Sequence, residues 1–500
     1  MPVLVVGAGP TGLTLGCDLA RRGIECLVVD KAAALFAGSR GKGLQPRTLE
    51  VFDDLGVLDA VLAAGAPFPS FRMYAGTQVR WTRTLHDMLG IAPLDRGRGV
   101  PYPDAWLLPQ WRTDEVLRDR LLELGGRIEM GTELVDFDQD DAGVTATLRR
   151  DGVLERVRAR YLVGADGGGS FVRKTLGVGF EGETFETERT LIGDVRAEGL
   201  TGTYCHILTT GDVRERFSLW SMPGTDYYQF VASMTADGVP ELTVSAVQQI
   251  LDERSGRSDI RLFDLDWISV YRVNVRMVDR FRVGRVFLAG DAAHVHSSAG
   301  GQGLNTSIQD AYNLGWKLAA VLSGAPDGLL DTYDDERFPI AAQVLDVTTH
   351  SHRRNFRSPE PGEGSPDIFQ LKLDYRGGPL AVDMRDNPGA VRAGDRAPDA
   401  LCVQGRLFDL FRGPHFTLLG FGTDTAASVA EVVRAQGVRV RAHVLEPDVA
   451  GDDTTPTVGS AFRNYDIDPA EPGTLVLIRP DGYIGVVATD PAPIHDYLNW

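Results

Sequence analysis

"PVLVVGAGPTGLTLGCDLARRGIECLVVD", residues 2–30, decides how the chain begins. The apolar run at its start reads as a buried strand. Gly7-x-Gly9-x-x-Gly12 follows at once, and an apolar helical pattern through Leu13, Leu15, Leu19 and Ala20 runs to Gly23. "ECLVVD" is a second strand that ends on Asp30, eighteen residues after Gly12. Gly7 and Gly9 permit a tight turn and close backbone approach to a pyrophosphate, and Gly12 lets the helix pack on the strand. The helix start, with Thr11 in the same turn, offers unpaired N–H groups and a partial positive charge. Asp30 is placed to accept ribose hydroxyls. Strand, glycine turn, helix and acid together make a dinucleotide-binding βαβ unit.

Two later stretches repeat the design of a strand running into an acidic, glycine-rich turn. One is "GADGGGSFVR", residues 164–173; the other is "GDAAHVHSSAGGQGLN", residues 290–305. Taken alone, the first is an Asp-Gly turn and the second a helix N-terminus with an acid nearby. Read with the βαβ unit they point to FAD. NAD needs one βαβ site and no second polyol clamp, whereas FAD has a ribityl chain whose hydroxyls a carboxylate such as Asp291 can accept. The helix after Gly303 would aim the N–H groups of Leu304 and Asn305 at the pyrimidine end of the flavin, where reduced flavin is anionic.

Length and composition narrow the rest. Five hundred residues allow two or three domains. A net charge of −18 argues against nucleic acid and anionic membrane as partners. No apolar run approaches the ~20 residues of a membrane span, and a strand from residue 2 leaves no room for a signal peptide. Cys17, Cys26, Cys205 and Cys402 are scattered, with no CxxC pair, so neither a disulfide framework nor a metal site is expected and a reducing cytoplasm fits. His294-x-His296 lacks a further ligand cluster and reads as loop packing near the cofactor. Only five of the 51 basic residues are lysine.

"TDEVLRDRLLELGG" is an amphipathic helix with Leu117, Leu121 and Leu124 on one face. Between 180 and 275 the texture changes to short alternating segments such as "RFSLWSM" and "YYQFVASM", the pattern of an inserted antiparallel sheet. "RSPEPGEGSP", residues 357–366, reads as linker, and another α/β pattern begins near 390. The expected fold class is α/β: a Rossmann-like FAD-binding domain, an inserted antiparallel-sheet substrate domain and a C-terminal α/β domain. The first part of the FAD domain covers 1–180, with a substrate-domain excursion near 70–105. The substrate sheet covers 181–275, the second FAD part 276–356, a linker 357–389 and the last domain 390–500.

These motifs, in this order over residues 1 to about 350, resemble the class A flavoprotein monooxygenases. The likeness is nearest to aromatic polyketide and antibiotic hydroxylases of the phenol hydroxylase type. "GDRAPD", 394–399, and "VLIRPDGYIG", 476–485, extend it to the family's thioredoxin-like appendage. The resemblance implies FAD contacts from Gly7, Gly9, Thr11, Gly12, Asp30, Lys31, Arg40, Gln110, Leu134, Asp166, Asp291, Gly303, Leu304 and Asn305. Asp30 and Lys31 would meet the adenosine side, Leu134 would offer a backbone contact near the adenine, and Gln110 would lie by the pyrophosphate and ribityl chain. Asp166 would sit where flavin and nicotinamide cross.

It further implies NADPH or NADH as transient electron donor, since no second βαβ fingerprint exists. O2 would form a flavin C4a-hydroperoxide that hydroxylates an aromatic substrate. Phe217, Trp220, Met222, Tyr228 and Phe230 are candidate substrate contacts, each equally at home in sheet core, and no catalytic base stands out. The chain departs from the family at Ser298, where proline is usual. The appendage lacks CxxC, so a packing or assembly role is expected of it. The chain would act as a monomer or homodimer. A Baeyer–Villiger or epoxidising enzyme, or a flavin protein that only sequesters a small molecule, would carry the same motifs. The WxWxIP signature of flavin halogenases is absent.

Overall fold

In the computed structural model, Val3–Val6 forms a strand (β1) with all four side chains buried. The structure describes every residue except 96–98, 212–214, 236, 237, 239, 298–300, 354–366, 448–459, 471, 472 and 500. Pro10 opens helix α1 (Pro10–Arg21), where its missing N–H costs nothing. Strand β2 (Cys26–Asp30) then returns parallel to β1. A Cβ on Gly7, whose φ is +112°, would lie 2.2 Å from the Ala165 carbonyl oxygen, and one on Gly12 would lie 1.9 Å from that of Gly7. Backbone packs on backbone at both places, so both admit only glycine.

The chain continues through β3 (Phe71–Ala75), α2 (Gln110–Glu123), β4 (Arg127–Met130), β5 (Tyr161–Gly164) and α3 (Phe171–Thr175). Next come β6 (Glu181–Glu198), β7 (Cys205–Thr209), β8 (Phe217–Ser221), β9 (Tyr227–Thr235), α4 (Val244–Ser255) and β10 (Arg261–Met277). Strand β11 (Val286–Leu288) and the long helices α5 (Gly303–Leu322) and α6 (Thr332–Arg353) follow.

Two sheets result. The first has the order Arg282–Val283, β11, β5, β1, β2, β4, and β11 through β4 are mutually parallel. Helices α1 and α5 pack on each other beside it. The second has the order His294–Val295, β10, β6, β9, β8, β7, β3, Gln78–Arg83. All its neighbours are antiparallel except β7 and β3. Its edge pairing of His294 and Val295 with Met277 and Arg276 fastens the Gly290–His294 turn of the first sheet to the second.

The last domain runs β12 (Phe416–Phe421), α7 (Ala426–Gln436), β13 (Val440–Leu445), α8 (Ser460–Asn464), β14 (Thr474–Ile478), β15 (Ile484–Ala488) and α9 (Ala492–Leu498). Its strand order β13-β12-β14-β15, parallel then antiparallel, is the thioredoxin-like arrangement, and Val382–Asp383, from the segment expected as linker, adds a fifth strand parallel to β15. Cys402 is buried, and its thiol donates to the Gly405 carbonyl at 3.2 Å. No helix of the described residues is long and apolar enough to cross a membrane.

Residues 367–389, expected as linker, are packed rather than free. Ile368, Phe369, Leu373 and Tyr375 are buried. Gln370 donates to Gln302 and Thr306, both at 2.9 Å, and accepts from Gln309. Ile368 and Phe369 pack with Ala105, and Leu373 and Tyr375 with Ile340, Val344 and Tyr483, so this piece is fastened to its surroundings; the Pro/Gly-rich stretch 357–366 lies outside the described residues.

The C-terminal domain docks on α5 and α6 through buried charge. Arg479, on the turn after β14, ion-pairs with Glu336 and Asp481, each at 2.5 Å, and Lys317 with Glu336 at 2.7 Å. Trp316 donates its indole N–H to Asp481 at 3.0 Å. Two cations and two anions balance, with every charged side chain at most 1% exposed. The cations of Arg479 and Lys317 overcome burial and hold Glu336 below the ordinary glutamate range. That stabilisation is present above the unfolded-state value and fades as pH falls through that range toward the folded one. Glu336→Ala should strand the buried Lys317 ammonium, leave Arg479 to Asp481 alone, and cost about 3–5 kcal/mol. Urea unfolding of the two proteins at neutral pH checks this, and the gap should narrow in acid.

Candidate active site

The glycine turns of the first sheet open onto a cavity of about 2350 Å³ that runs on to one face of the second. At the first turn no neighbouring atom lies within 4 Å of where a Cβ on Gly9 would be. Helix α1 has no side-chain cap, so its first N–H groups remain for an anion. Asp30 accepts from the backbone N–H of Ala8 and of Ala32, each at 2.8 Å, bracing the turn while lining the cavity beside Lys31. Thr11, Arg40, Gln110, Leu134 and Leu304 also face the cavity. Gln110 accepts from the Gly41 N–H at 3.0 Å.

Asp291 faces the cavity from the 3-10 turn Gly290–Ala292 and accepts no hydrogen bond from a described residue. Enclosure raises its carboxyl pKa, against the pull of His294 and Arg40. A carboxylate without a donor, beside two glycine turns and an uncapped helix start, fits the hydroxyls of a ribityl chain. The start of α5 also lacks a side-chain cap, and Gly303 and Leu304 there line the cavity.

What holds this turn is Asp310 of α5, fully buried. It accepts from the Gly290 N–H at 3.1 Å and from Arg337 Nε at 2.8 Å, and shares a 2.6 Å hydrogen bond with His294 Nε2. His294 Nδ1 and His296 Nε2 share another, at 2.8 Å. Burial, with His294 adding to it, pushes His296 well below the usual histidine range, so this cavity-lining ring is neutral. Both histidines are thus committed to a hydrogen-bonded chain ending on a carboxylate.

Several candidates play other parts than those expected. Asp166 lines the cavity, but its carboxylate is spent on the start of α3, accepting from Ser170 Oγ at 2.5 Å and from the N–H groups of Phe171 and Val172. Arg173 then donates to the carbonyls of Gly168 and Ala292, joining the two acidic turns. Gly12 and Asn305 do not line the cavity. Gly12 serves helix packing. Asn305 is fully buried, accepts from the Gln45 N–H at 2.8 Å and donates to the carbonyls of Gly43 and Gly301, stapling the Arg40–Gln45 segment to the loop before α5. Ser298 and Gly300 lie outside the described residues.

On the second sheet, side chains alternate between two faces. Phe217 and Phe230 stack with ring centroids 5.7 Å apart in the core under α4, so they are corrected from substrate contacts to core. Met222 is buried, and Tyr228 packs against that core beside His206; neither lines the cavity. Trp220 does. Its cavity-facing companions are the intervening residues Ser218, Val231 and Ser233, with Cys205, Ile207, Phe71 and Met73 from β7 and β3. The alternation was visible in the sequence, but which phase faced the cavity was not. Asp114, on α2 one turn after Gln110, was also missed. Burial raises its carboxyl pKa well above the usual range, and its Oδ1 has no partner among the described residues.

The family described as FAD binding domain matches residues 1–348. A flavin-dependent monooxygenase of Mycobacteroides abscessus is 57% identical, covering 100% of this chain and 99% of that relative. The 6-methylpretetramide 4-monooxygenase of Streptomyces rimosus is 34% identical over 96% of this chain and 90% of its own length. Among solved structures, a ternary complex of aklavinone-11 hydroxylase with FAD and aklavinone superposes with a TM-score of 0.83 at 29% identity, covering 100% of this chain and 98% of that one. The chain belongs to the FAD-binding-domain family of flavin-dependent monooxygenases.

Proposed function

We propose that the protein uses NADPH or NADH and O2 to hydroxylate a polycyclic phenolic substrate of the aromatic polyketide class, with FAD as the resident cofactor. The observation that carries this reading is the continuity of one cavity from the Asp291 turn to the Trp220 face of the second sheet. That volume takes FAD and a fused-ring substrate together. The relatives named for 6-methylpretetramide and for aklavinone support the substrate class. We further propose that the enzyme works in the cytoplasm as a monomer or homodimer.

Bound FAD would supply the redox chemistry, passing electrons from the nicotinamide to O2 and one oxygen atom to the substrate ring. The residues supply place and charge. Gly9 and the start of α1 would receive the pyrophosphate, Asp291 the ribityl hydroxyls, and the N–H groups at the start of α5 the pyrimidine oxygens. Neutral His296 and the sheet face would wall the reacting end from bulk water. A Baeyer–Villiger outcome on the same site is distinguished by product structure.

Asp291→Ala should remove a charged acceptor worth roughly 1.5–3 kcal/mol, weakening FAD retention by about 10- to 150-fold. Ultrafiltration of the yellow holoprotein measures this, and unchanged retention would remove Asp291 from the ribityl site.

Reduction by a diffusing nicotinamide needs an accessible flavin edge, while oxygen transfer needs a dry one, so substrate should gate reduction. Stopped-flow flavin reduction should quicken at least ~10-fold with the true substrate, about 1.4 kcal/mol in the barrier. One ¹⁸O atom from labelled O2 should enter the product. Equal rates with and without substrate would end the gating reading, and oxygen from water would end the monooxygenase reading.

A further inference from the structure

Lys42 stands where the cofactor end of the cavity meets the sheet. Its neighbour Gly41 is held by Gln110, and its own carbonyl accepts the Leu108 N–H at 2.8 Å. The side chain crosses to the second sheet. There Nζ donates to Gln229 Oε1 and lies 4.4 Å from the centroid of the Trp220 ring. Gln229 is fully buried and fixed in turn, donating to the Ser39 carbonyl, while the Ser39 N–H donates to Asp194 at 3.0 Å. The ammonium is therefore positioned by a chain of contacts rather than left to swing.

No carboxylate of a described residue lies within ion-pairing distance of it. An ammonium has three donors, of which the described residues use one. Arg216 lines the same chamber. Enclosure lowers the Lys42 pKa to about 8, opposed by Cys205 and Asp194, so at neutral pH the group is still mainly charged. The acid facing it, Asp194, is itself raised to about 6 by burial. An enclosed cation with no carboxylate in direct contact is costly to bury, and a ligand anion would relieve that cost.

We propose that Lys42 is the anion-recognition point of the substrate chamber and holds an ionised oxygen borne by the aromatic substrate. The inference rests on the reading of this chamber as a site for polycyclic aromatics and adds the charge state of what binds. Held as a phenolate, a ring gives its hydroxyl proton to solvent on binding and becomes more electron-rich, as an oxygen-accepting ring must be. Held as a carboxylate, the same oxygen only orients the ring.

The test titrates the FAD-loaded protein, as wild type, Lys42→Met and Lys42→Arg, with two matched pairs. One is alizarin and its dimethyl ether; the other is anthraquinone-2-carboxylate and its methyl ester. Retained FAD and an unchanged melting midpoint certify each variant's fold. Wild type should bind the ionisable member of one pair about tenfold more tightly than its methylated partner. Lys42→Met should lose that preference and Lys42→Arg keep it. If the alizarin pair shows it, the visible phenolate band of bound alizarin should appear about one pH unit lower in wild type than in Lys42→Met. Preference in the alizarin pair assigns a phenolate, and in the carboxylate pair a carboxylate. Equal binding of charged and methylated members in wild type, or an unaltered preference in Lys42→Met, overturns the anion site and leaves the aromatic chamber standing. Binding of none of the four overturns both.

Discussion

Asp310 is the carboxylate on which the arrangement of the site depends. It has no access to water, so its charge must be met within the protein. Three elements meet it: the Gly290 amide from the acidic turn, His294 from the edge of the second sheet, and Arg337 from α6. Arg337 reaches on to the Tyr375 hydroxyl and the Thr306 carbonyl. Neighbouring Asp291 can thus face a cofactor with its carboxylate unspent, because a different acid pays for holding the turn. Two carboxylates nineteen residues apart divide the labour, one structural and one for the ligand.

Much of this was legible in the sequence because backbone constraints leave a residue-type record. Gly7 and Gly12 are glycine because carbonyl groups occupy the space of a side chain, and such sites can be recognised from one sequence. The face of a strand was not legible. Phe217 and Trp220 sit three residues apart in β8, so they point to opposite sides, and nothing local says which side is wet. The side chains of Asp166 and Asn305 also cap a helix and staple a loop, a second duty that their motifs do not announce. Lys42 did leave a signal. In a chain that chooses arginine for all but five of 51 basic positions, a lysine is an exception worth locating. Lys42 and Lys317 are both enclosed, and burial lowers the pKa of each.

The thioredoxin-like domain has lost any means of dithiol exchange yet is bound into the molecule more tightly than a mobile appendage. Arg47 donates to the Asp481 carbonyl at 2.7 Å, and Arg396 pairs with Glu50 at 2.9 Å, adding to the cluster around Glu336. These contacts land on α5 and on the helix Pro46–Leu55, which follows the segment carrying Arg40 and Lys42. The domain thereby backs the elements whose other ends form the cavity.

The second sheet separates two kinds of inheritance. Along β8 and β9, Phe217, Leu219, Phe230 and Ala232 fill the core under α4, while Ser218, Trp220, Val231 and Ser233 meet the cavity. Exchanges at the second set alter the shape and polarity offered to a guest without opening voids in the first. Selection can therefore retune substrate choice at near-constant stability, and a designer can build libraries on alternate positions of two strands.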